Sequence, residues 1–362
     1  MWSDMGFDVS FLRICFDQYR KPRVLGCYGI RSFSIMTMYT ARKNTNARKP
    51  DILGNGFYSE VLHMRDDYDG PVIATLIQKP LPCSTRYAVL YIHGYADYFF
   101  KTELADSYIK NGYDFYALDL RKYGRSLLSH QLPNFCKDVG EYFEEIQYAI
   151  KIIRERDKHE WLVVHGHSTG ALIVSLLARV NDDTDAINAI ILDSPFFSFN
   201  EPCIVKQVFV PLIAIVAREF PYLRIPGGLS KTAGECIHES YHGEWSYRLD
   251  WKPIGGFPLR AGWIRAIHMA HLQIHSGVSL STPILVMHAA ESSKSKRCAS
   301  QAMRTDTVLD VSDIIRYSKN LGNDVSEVSI PGAMHDLVLS AQDVRIRLYH
   351  EIFSWLTAIT SQ

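Results

Sequence analysis

The pentapeptide Gly166-His167-Ser168-Thr169-Gly170 sets a hydroxyl between two glycines, the G-x-S-x-G pattern of a nucleophilic serine on a sharp strand-to-helix turn. A serine hydroxyl is a weak nucleophile at neutral pH. It needs a general base, and the base needs an orienting acid. Fourteen histidines are available. His335, in Pro331-Gly332-Ala333-Met334-His335-Asp336, follows the last expected strand in a short loop before the last expected helix, which is where such a base has to sit. The acid is expected after the strand ending near Met287, among Glu291, Asp306 and Asp310. Asp310 precedes Val311-Ser312-Asp313 and reads as a helix N-cap, so Asp306 is favoured, with Asp193 after the preceding strand as a further alternative. A developing oxyanion needs two donors. The backbone N–H groups of Thr169 and of Tyr95, in His93-Gly94-Tyr95, are the expected pair.

These residues require a scaffold that brings distant loops to one edge. Trp161-Leu162-Val163-Val164 before the serine is short and apolar, as a strand buried on both faces would be, and Ala171 to Ala178 after it is a plausible helix. From about residue 57 strand and helix patterns alternate: strands at 72–77, 87–92, 115–118, 189–192, 283–287 and 325–330, and helices near 99–111, 142–154 and 311–321. A C-terminal helix carries Val344, Leu348, Ile352 and Trp355 on one face. The rhythm predicts a mostly parallel, doubly wound α/β sheet. It breaks between about Glu201 and Leu280, where two apolar helical pieces lie near Val205–Arg218 and Ala261–Ile274. The expected organisation is a basic N-terminal extension over 1–50, a core over 51–200 and 281–362, and an inserted helical cap over 201–280.

Composition excludes several classes. Lys+Arg 39 balances Asp+Glu 39, which gives a nucleic-acid partner no electrostatic support. The longest apolar run, Val208 to Ala217, is too short for a transmembrane helix, and Asp4 and Asp8 stand where a signal peptide would be basic. Seven cysteines, at 15, 27, 83, 136, 203, 236 and 298, include no C-x-x-C pair and are expected to be free thiols in a cytoplasmic protein. His268, His271 and His275 share a helix face without a completing cysteine or carboxylate, so no metal is expected and cap surface is the default. Gly54-Asn55-Gly56 lacks the setting of a dinucleotide site. Tyr95, Tyr98, Phe99 and Phe100 are available either to an acyl pocket or to aromatic packing, and His167 is expected to pack behind the turn.

With Tyr91-Ile92-His93-Gly94, Leu118-Asp119-Leu120-Arg121-Lys122-Tyr123-Gly124-Arg125-Ser126, the Ser168 turn, Leu192-Asp193-Ser194-Pro195 and the His335 loop in order, the chain from about Gly54 to Leu356 resembles α/β-hydrolase superfamily serine hydrolases. It is most similar to the monoacylglycerol lipase, lysophospholipase and serine aminopeptidase (S33) branch. It departs from the pattern in the long, polar, basic segment from Ala289 to Thr305, which leaves both Asp306 and Asp310 open. The resemblance implies a cofactor-free Ser-His-Asp hydrolase acting on a small-molecule ester or lipid such as a monoacylglycerol or lysophospholipid, with transient membrane-surface contact through the cap. An aminopeptidase would need a cap acid for the substrate amine, with Glu235, Glu239 and Glu244 available. A non-catalytic binding protein on the same fold would be expected to have lost a triad member, and all are present.

Overall fold

The computed structural model describes residues 48–181 and 186–361, so most of the expected basic extension lies outside the described residues. The strands are Lys49–Pro50 (β1), Tyr58–His63 (β2), Ile73–Lys79 (β3), Tyr87–Ile92 (β4), Asp114–Asp119 (β5), Trp161–His167 (β6), Ala189–Asp193 (β7), Ile284–Ala289 (β8) and Val325–Ile330 (β9). The principal helices are Thr102–Lys110 (α1), Phe143–Lys151 (α2), Thr169–Asn181 (α3), Val210–Val216 (α4), Lys231–Ile237 (α5), Ala261–His275 (α6), Val311–Ser318 (α7) and Gln342–Thr360 (α8). The strands form one sheet in the order β1-β2-β3-β5-β4-β6-β7-β8-β9. It is antiparallel from β1 to β5 and parallel from β5 onward. This is the expected α/β architecture.

The apolar runs form central strands because both sheet faces are covered. Ala88, Leu90 and Ile92 of β4 pack with α2, α3 and α6 on one side, while Val89 and Tyr91 pack with α1 and α8 on the other. Strands β6, β7 and β8 alternate in the same way, so Leu162–Val164, Ala189–Leu192 and Ile284–Met287 are continuous apolar runs and the period-2 signal disappears. On α8, Val344, Leu348, Ile352 and Leu356 face the core, with Trp355 only partly buried. Besides the two-residue β1, two larger elements are absent from the sequence reading. Tyr58-Ser-Glu-Val-Leu-His (β2) mixes polar and apolar residues, and its Glu60 is buried against Arg156 at 2.6 Å. The seven-residue α5 carries Gly234 at its centre and depends on a Ser230 N-cap that accepts from the Thr232 N–H.

The parallel order puts the C-terminal ends of β4, β6, β7, β8 and β9 on one edge, and the residues between β7 and β8 return across that edge. Side chains tie this segment down: Lys252 Nζ lies 2.8 Å from Asp97, Trp245 Nε1 donates to the Leu339 carbonyl at 2.9 Å, and Arg345 pairs with Glu244. The expectation of free thiols is corrected at one pair. Cys236 of α5 and Cys298 of the β8–α7 connection form a disulfide across a separation of 62 residues, with Cα atoms 5.4 Å apart. Spacing hides such a pair because only the fold brings the two Cβ positions together. Closing a loop of this length contributes about 4 kcal/mol in the chain-entropy picture, and the bond persists in an oxidising environment, whereas the cytosol keeps thiols reduced. Cys83, Cys136 and Cys203 are free, and Cys15 and Cys27 lie outside the described residues. Among the described residues no helix is long and apolar enough to cross a membrane.

Candidate active site

Ser168 sits between β6 and α3 with φ +52°, in the left-handed region that side chains other than glycine's rarely adopt. The flanking glycines permit this turn. A Cβ on Gly166 would lie 2.7 Å from the Ala171 Cα, and one on Gly170 would lie 2.4 Å from the carbonyl oxygens of Ile92 and His93. Helix α3 therefore starts hard against β4 and β6, and its first N–H, that of Thr169, has no intrahelical partner. Neither it nor the Tyr95 N–H has a hydrogen-bond partner among the described residues. The Tyr95 loop is fixed by His93, whose Nδ1 bonds the Gly94 carbonyl at 2.8 Å and whose Nε2 accepts from the Leu120 N–H at 3.1 Å. Burial lowers the His93 pKa, which suits this neutral tautomer.

His335 and Asp306 reach the serine from the loops after β9 and β8. Ser168 Oγ lies 3.0 Å from His335 Nε2, and His335 Nδ1 lies 2.8 Å from Asp306 Oδ2. Asp306 is fully buried, and its other oxygen accepts from the Val308 and Leu309 N–H groups, each at 2.7 Å. Asp310 is exposed and caps α7 instead, accepting from the Ser312 N–H at 3.0 Å. Asp193 faces His167, not His335, at 3.6 Å. Glu291 is exposed, and its carbonyl accepts from the Asp306 N–H.

Burial presses against a charged His335, but the Asp306 charge and hydrogen bond, backed by Asp336 and Asp193, raise its pKa above the ordinary histidine value. If this imidazole serves as the general base it must be unprotonated, and activity is then lost as pH falls through the raised pKa. The acidic limb of kcat/KM is expected to have its midpoint above about 6.5. A midpoint below that value in a pH–rate profile would contradict the electrostatics of the site.

The serine opens into a cavity of about 480 Å³ lined mainly by apolar side chains, among them Tyr95, Phe196, Val205, Ile213 and Trp263. Tyr98, Phe99 and Phe100 do not line it but pack into the aromatic core. The helix-face histidines are not cap surface either. His271 is buried and bonds the Phe196 carbonyl at 2.9 Å, and His275 bonds the Phe197 carbonyl at 2.7 Å while stacking on Tyr317. Both rings brace the loop after β7.

Sequence reasoning missed a buried ionic cluster behind His335. Asp97, His167 and Asp336 bring potential ligand atoms within 4.8 Å of one another. Lys101 Nζ lies 2.7 Å from Asp336 and 3.1 Å from Asp97, and Lys252 lies on Asp97, so two ammonium groups already occupy the place of a cation. The available signals were Asp336 directly after the base and Asp97 three residues after Gly94.

A serine, imidazole and carboxylate in hydrogen-bond sequence at the C-terminal edge of this sheet define a serine hydrolase of the α/β-hydrolase superfamily. Residues 84–342 match the family model described as serine aminopeptidase, S33, and the chain belongs to that family. No curated protein matches the sequence. Among solved structures the fold is similar to a soluble variant of monoglyceride lipase from Saccharomyces cerevisiae in complex with a substrate analog (TM-score 0.63, 18% identity, 82% of this chain and 94% of that one). It is also similar to the Paleococcus ferrophilus monoacylglycerol lipase (TM-score 0.60, 18% identity, 78% and 99%). Est1E from Butyrivibrio proteoclasticus, bound to ferulic acid, is a third (TM-score 0.53, 15% identity, 83% and 100%).

Proposed function

We propose that the protein hydrolyses carboxylic esters bearing an acyl chain, such as monoacylglycerols or lysophospholipids, through Ser168, His335 and Asp306. The observation that carries this reading is the hydrogen-bonded serine–imidazole–carboxylate series opening into a mainly apolar cavity. In this mechanism Ser168 Oγ attacks the ester carbonyl as His335 Nε2 takes its proton. The Tyr95 and Thr169 N–H groups hold the oxyanion, and His335 returns the proton to the departing alkoxide. Water then repeats the sequence on the acyl-enzyme. Residues 201–280 act as a cap whose apolar inner side, with Val205, Val210 and Ile213, receives the acyl chain.

An exopeptidase reading finds less support. Glu235, Glu239 and Glu244 do not line the cavity, and Glu244 pairs with Arg345. Asp97 and Asp336 do line it, but lysines neutralise both. The test is a series of p-nitrophenyl esters of increasing chain length run beside aminoacyl anilides. The expected result is kcat/KM rising with chain length and negligible anilide cleavage. A preference for acetyl esters would remove the acyl-chain reading, and anilide cleavage would select the peptidase.

The outer side of the same segment supports contact with a lipid surface. Phe209 and Leu212 are each 53% exposed and Phe220 is 65% exposed, and Arg218 and Arg224 lie beside them. One segment thus lines the cavity from within and presents apolar side chains without. Phe209→Asp with Leu212→Asp is expected to reduce co-sedimentation with anionic phospholipid vesicles and to leave turnover of a water-soluble ester unchanged. Undiminished sedimentation would assign vesicle binding elsewhere.

A further inference from the structure

The Tyr95 N–H stands in a stretch between β4 and α1 that no regular secondary structure fixes. Among the described residues no backbone N–H of Tyr95, Ala96, Asp97 or Tyr98 donates a hydrogen bond. Ala96, directly after Tyr95, has φ +48°, in the left-handed region that its side chain disfavours. Such a stretch keeps one conformation only where its surroundings over-determine it. Its ends are tied to the core: His93 accepts from the Leu120 N–H, and the Phe99 N–H donates to Asp119 Oδ1 at 2.8 Å. Between those ends only side chains can hold it.

Those side chains meet the segment that returns between β7 and β8. The Tyr95 hydroxyl donates to the Phe257 carbonyl at 3.3 Å, Asp97 Oδ1 accepts from Lys252 Nζ at 2.8 Å, and the Tyr98 hydroxyl accepts from the Arg248 N–H at 2.8 Å. Tyr98 also meets Trp251 edge to face, with ring centroids 5.1 Å apart, and Phe100 lies against Tyr247 at 4.9 Å. Residues 247–257 thus hold the stretch at Tyr95, Asp97, Tyr98 and Phe100. Lys101 also meets Asp97, at 3.1 Å, but it belongs to the same stretch, and its shorter contacts are with Tyr91 and Asp336 at 2.6 and 2.7 Å. Arg248 is exposed and Lys252 half-buried, so these contacts can be altered without opening the core under the sheet.

We infer that the segment 247–257 sets the oxyanion site from outside the core, with Lys252 as a positioning residue that acts through Asp97 on the Tyr95 N–H. Asp97 is two residues from Tyr95, and the backbone between them has no hydrogen bond of its own, so the place of the carboxylate fixes the place of the N–H. A donor stabilises an oxyanion only within about 2.7–3.1 Å of it, and a displacement of about 1 Å removes most of its effect. The segment that covers the cavity therefore also completes the site beneath it. This inference rests on the function proposed above, in which Tyr95 and Thr169 hold the oxyanion formed by attack of Ser168.

Lys252→Met is expected to lower kcat by about ten- to a hundred-fold with KM nearly unchanged, and Lys252→Arg to restore most of the loss. Tyr98→Phe leaves every charge in place and frees only the Arg248 N–H, so a smaller fall of the same kind is expected even if Lys252→Met folds poorly. Rates are taken per active site, counted by fluorophosphonate titration. A contact that only supports the fold would lower the count of sites and leave kcat per site alone. Inhibition by an alkyl trifluoromethyl ketone, to which Ser168 Oγ adds to give a tetrahedral oxyanion, is expected to weaken in parallel with kcat/KM. Unchanged kcat per site in both variants, a rise in KM alone, or undiminished ketone affinity overturns the inference. Labelling that survives in Ser168→Ala would remove the proposed function itself, whereas its loss there beside an unaltered Lys252→Met rejects only the positioning role.

Discussion

Asp306→Asn is expected to lower kcat by about four orders of magnitude while leaving the fold intact. The reason lies in how the carboxylate is held. Oδ1 accepts from the Val308 and Leu309 N–H groups, and Oδ2 faces His335 Nδ1. An asparagine at 306 keeps its carbonyl oxygen where two N–H donors already point, which turns its amide NH2 towards His335. The imidazole then has to accept at Nδ1 and carry its proton on Nε2, aimed at Ser168 Oγ. A ring in that tautomer cannot act as the base. Asp310→Ala provides the contrast. It removes a helix N-cap on the same segment, with an expected loss of about 1 kcal/mol from the urea unfolding free energy and near-normal kcat. The reverse pattern, activity lost at 310 and retained at 306, would reject Asp306 as the orienting acid.

The parts of this molecule legible in the sequence are those whose signal is local. Strands β4, β6, β7 and β8 are continuous apolar runs because both sheet faces are covered, and Ser168 carries its own glycines. His335 follows from chain order once the last strands are placed, whereas Asp306 is only favoured over Asp310 in the sequence; the structure brings His335 to the serine and Asp306 to His335. What stays hidden is whatever only the fold assembles. Lys101, in Phe99-Phe100-Lys101-Thr102, looks like a solvated residue ahead of a helix, yet it is fully buried because Asp97 and Asp336 arrive from two loops to pair with it. His167 reads as packing until Asp193 and Asp336 are placed on either side of it. Cys236 and Cys298 look like two more scattered thiols, and α5 has too little apolar periodicity over seven residues to announce itself. For Lys101, His167 and the cysteine pair the missing information is a long-range pairing, and neither propensity nor spacing encodes one.

Ser168→Ala is expected to abolish fluorophosphonate labelling and to reduce ester turnover by about a million-fold, leaving only what the oxyanion donors and the cavity provide. The change deletes one oxygen. Alanine meets the same steric cost at φ +52° as serine does, so the turn, the start of α3 and the Thr169 N–H stay in place. Ser168→Gly separates the chemistry from the backbone. Glycine adopts positive φ freely, so this variant is expected to be equally inactive yet more stable than Ser168→Ala, by about 1 kcal/mol in urea unfolding. That difference measures the strain the chain accepts to project a hydroxyl from the turn. Labelling that survives in the alanine variant would place the nucleophile elsewhere. Equal stability of the two variants would mean that the turn holds Ser168 at positive φ without cost, and the geometry of the site would then owe nothing to strain.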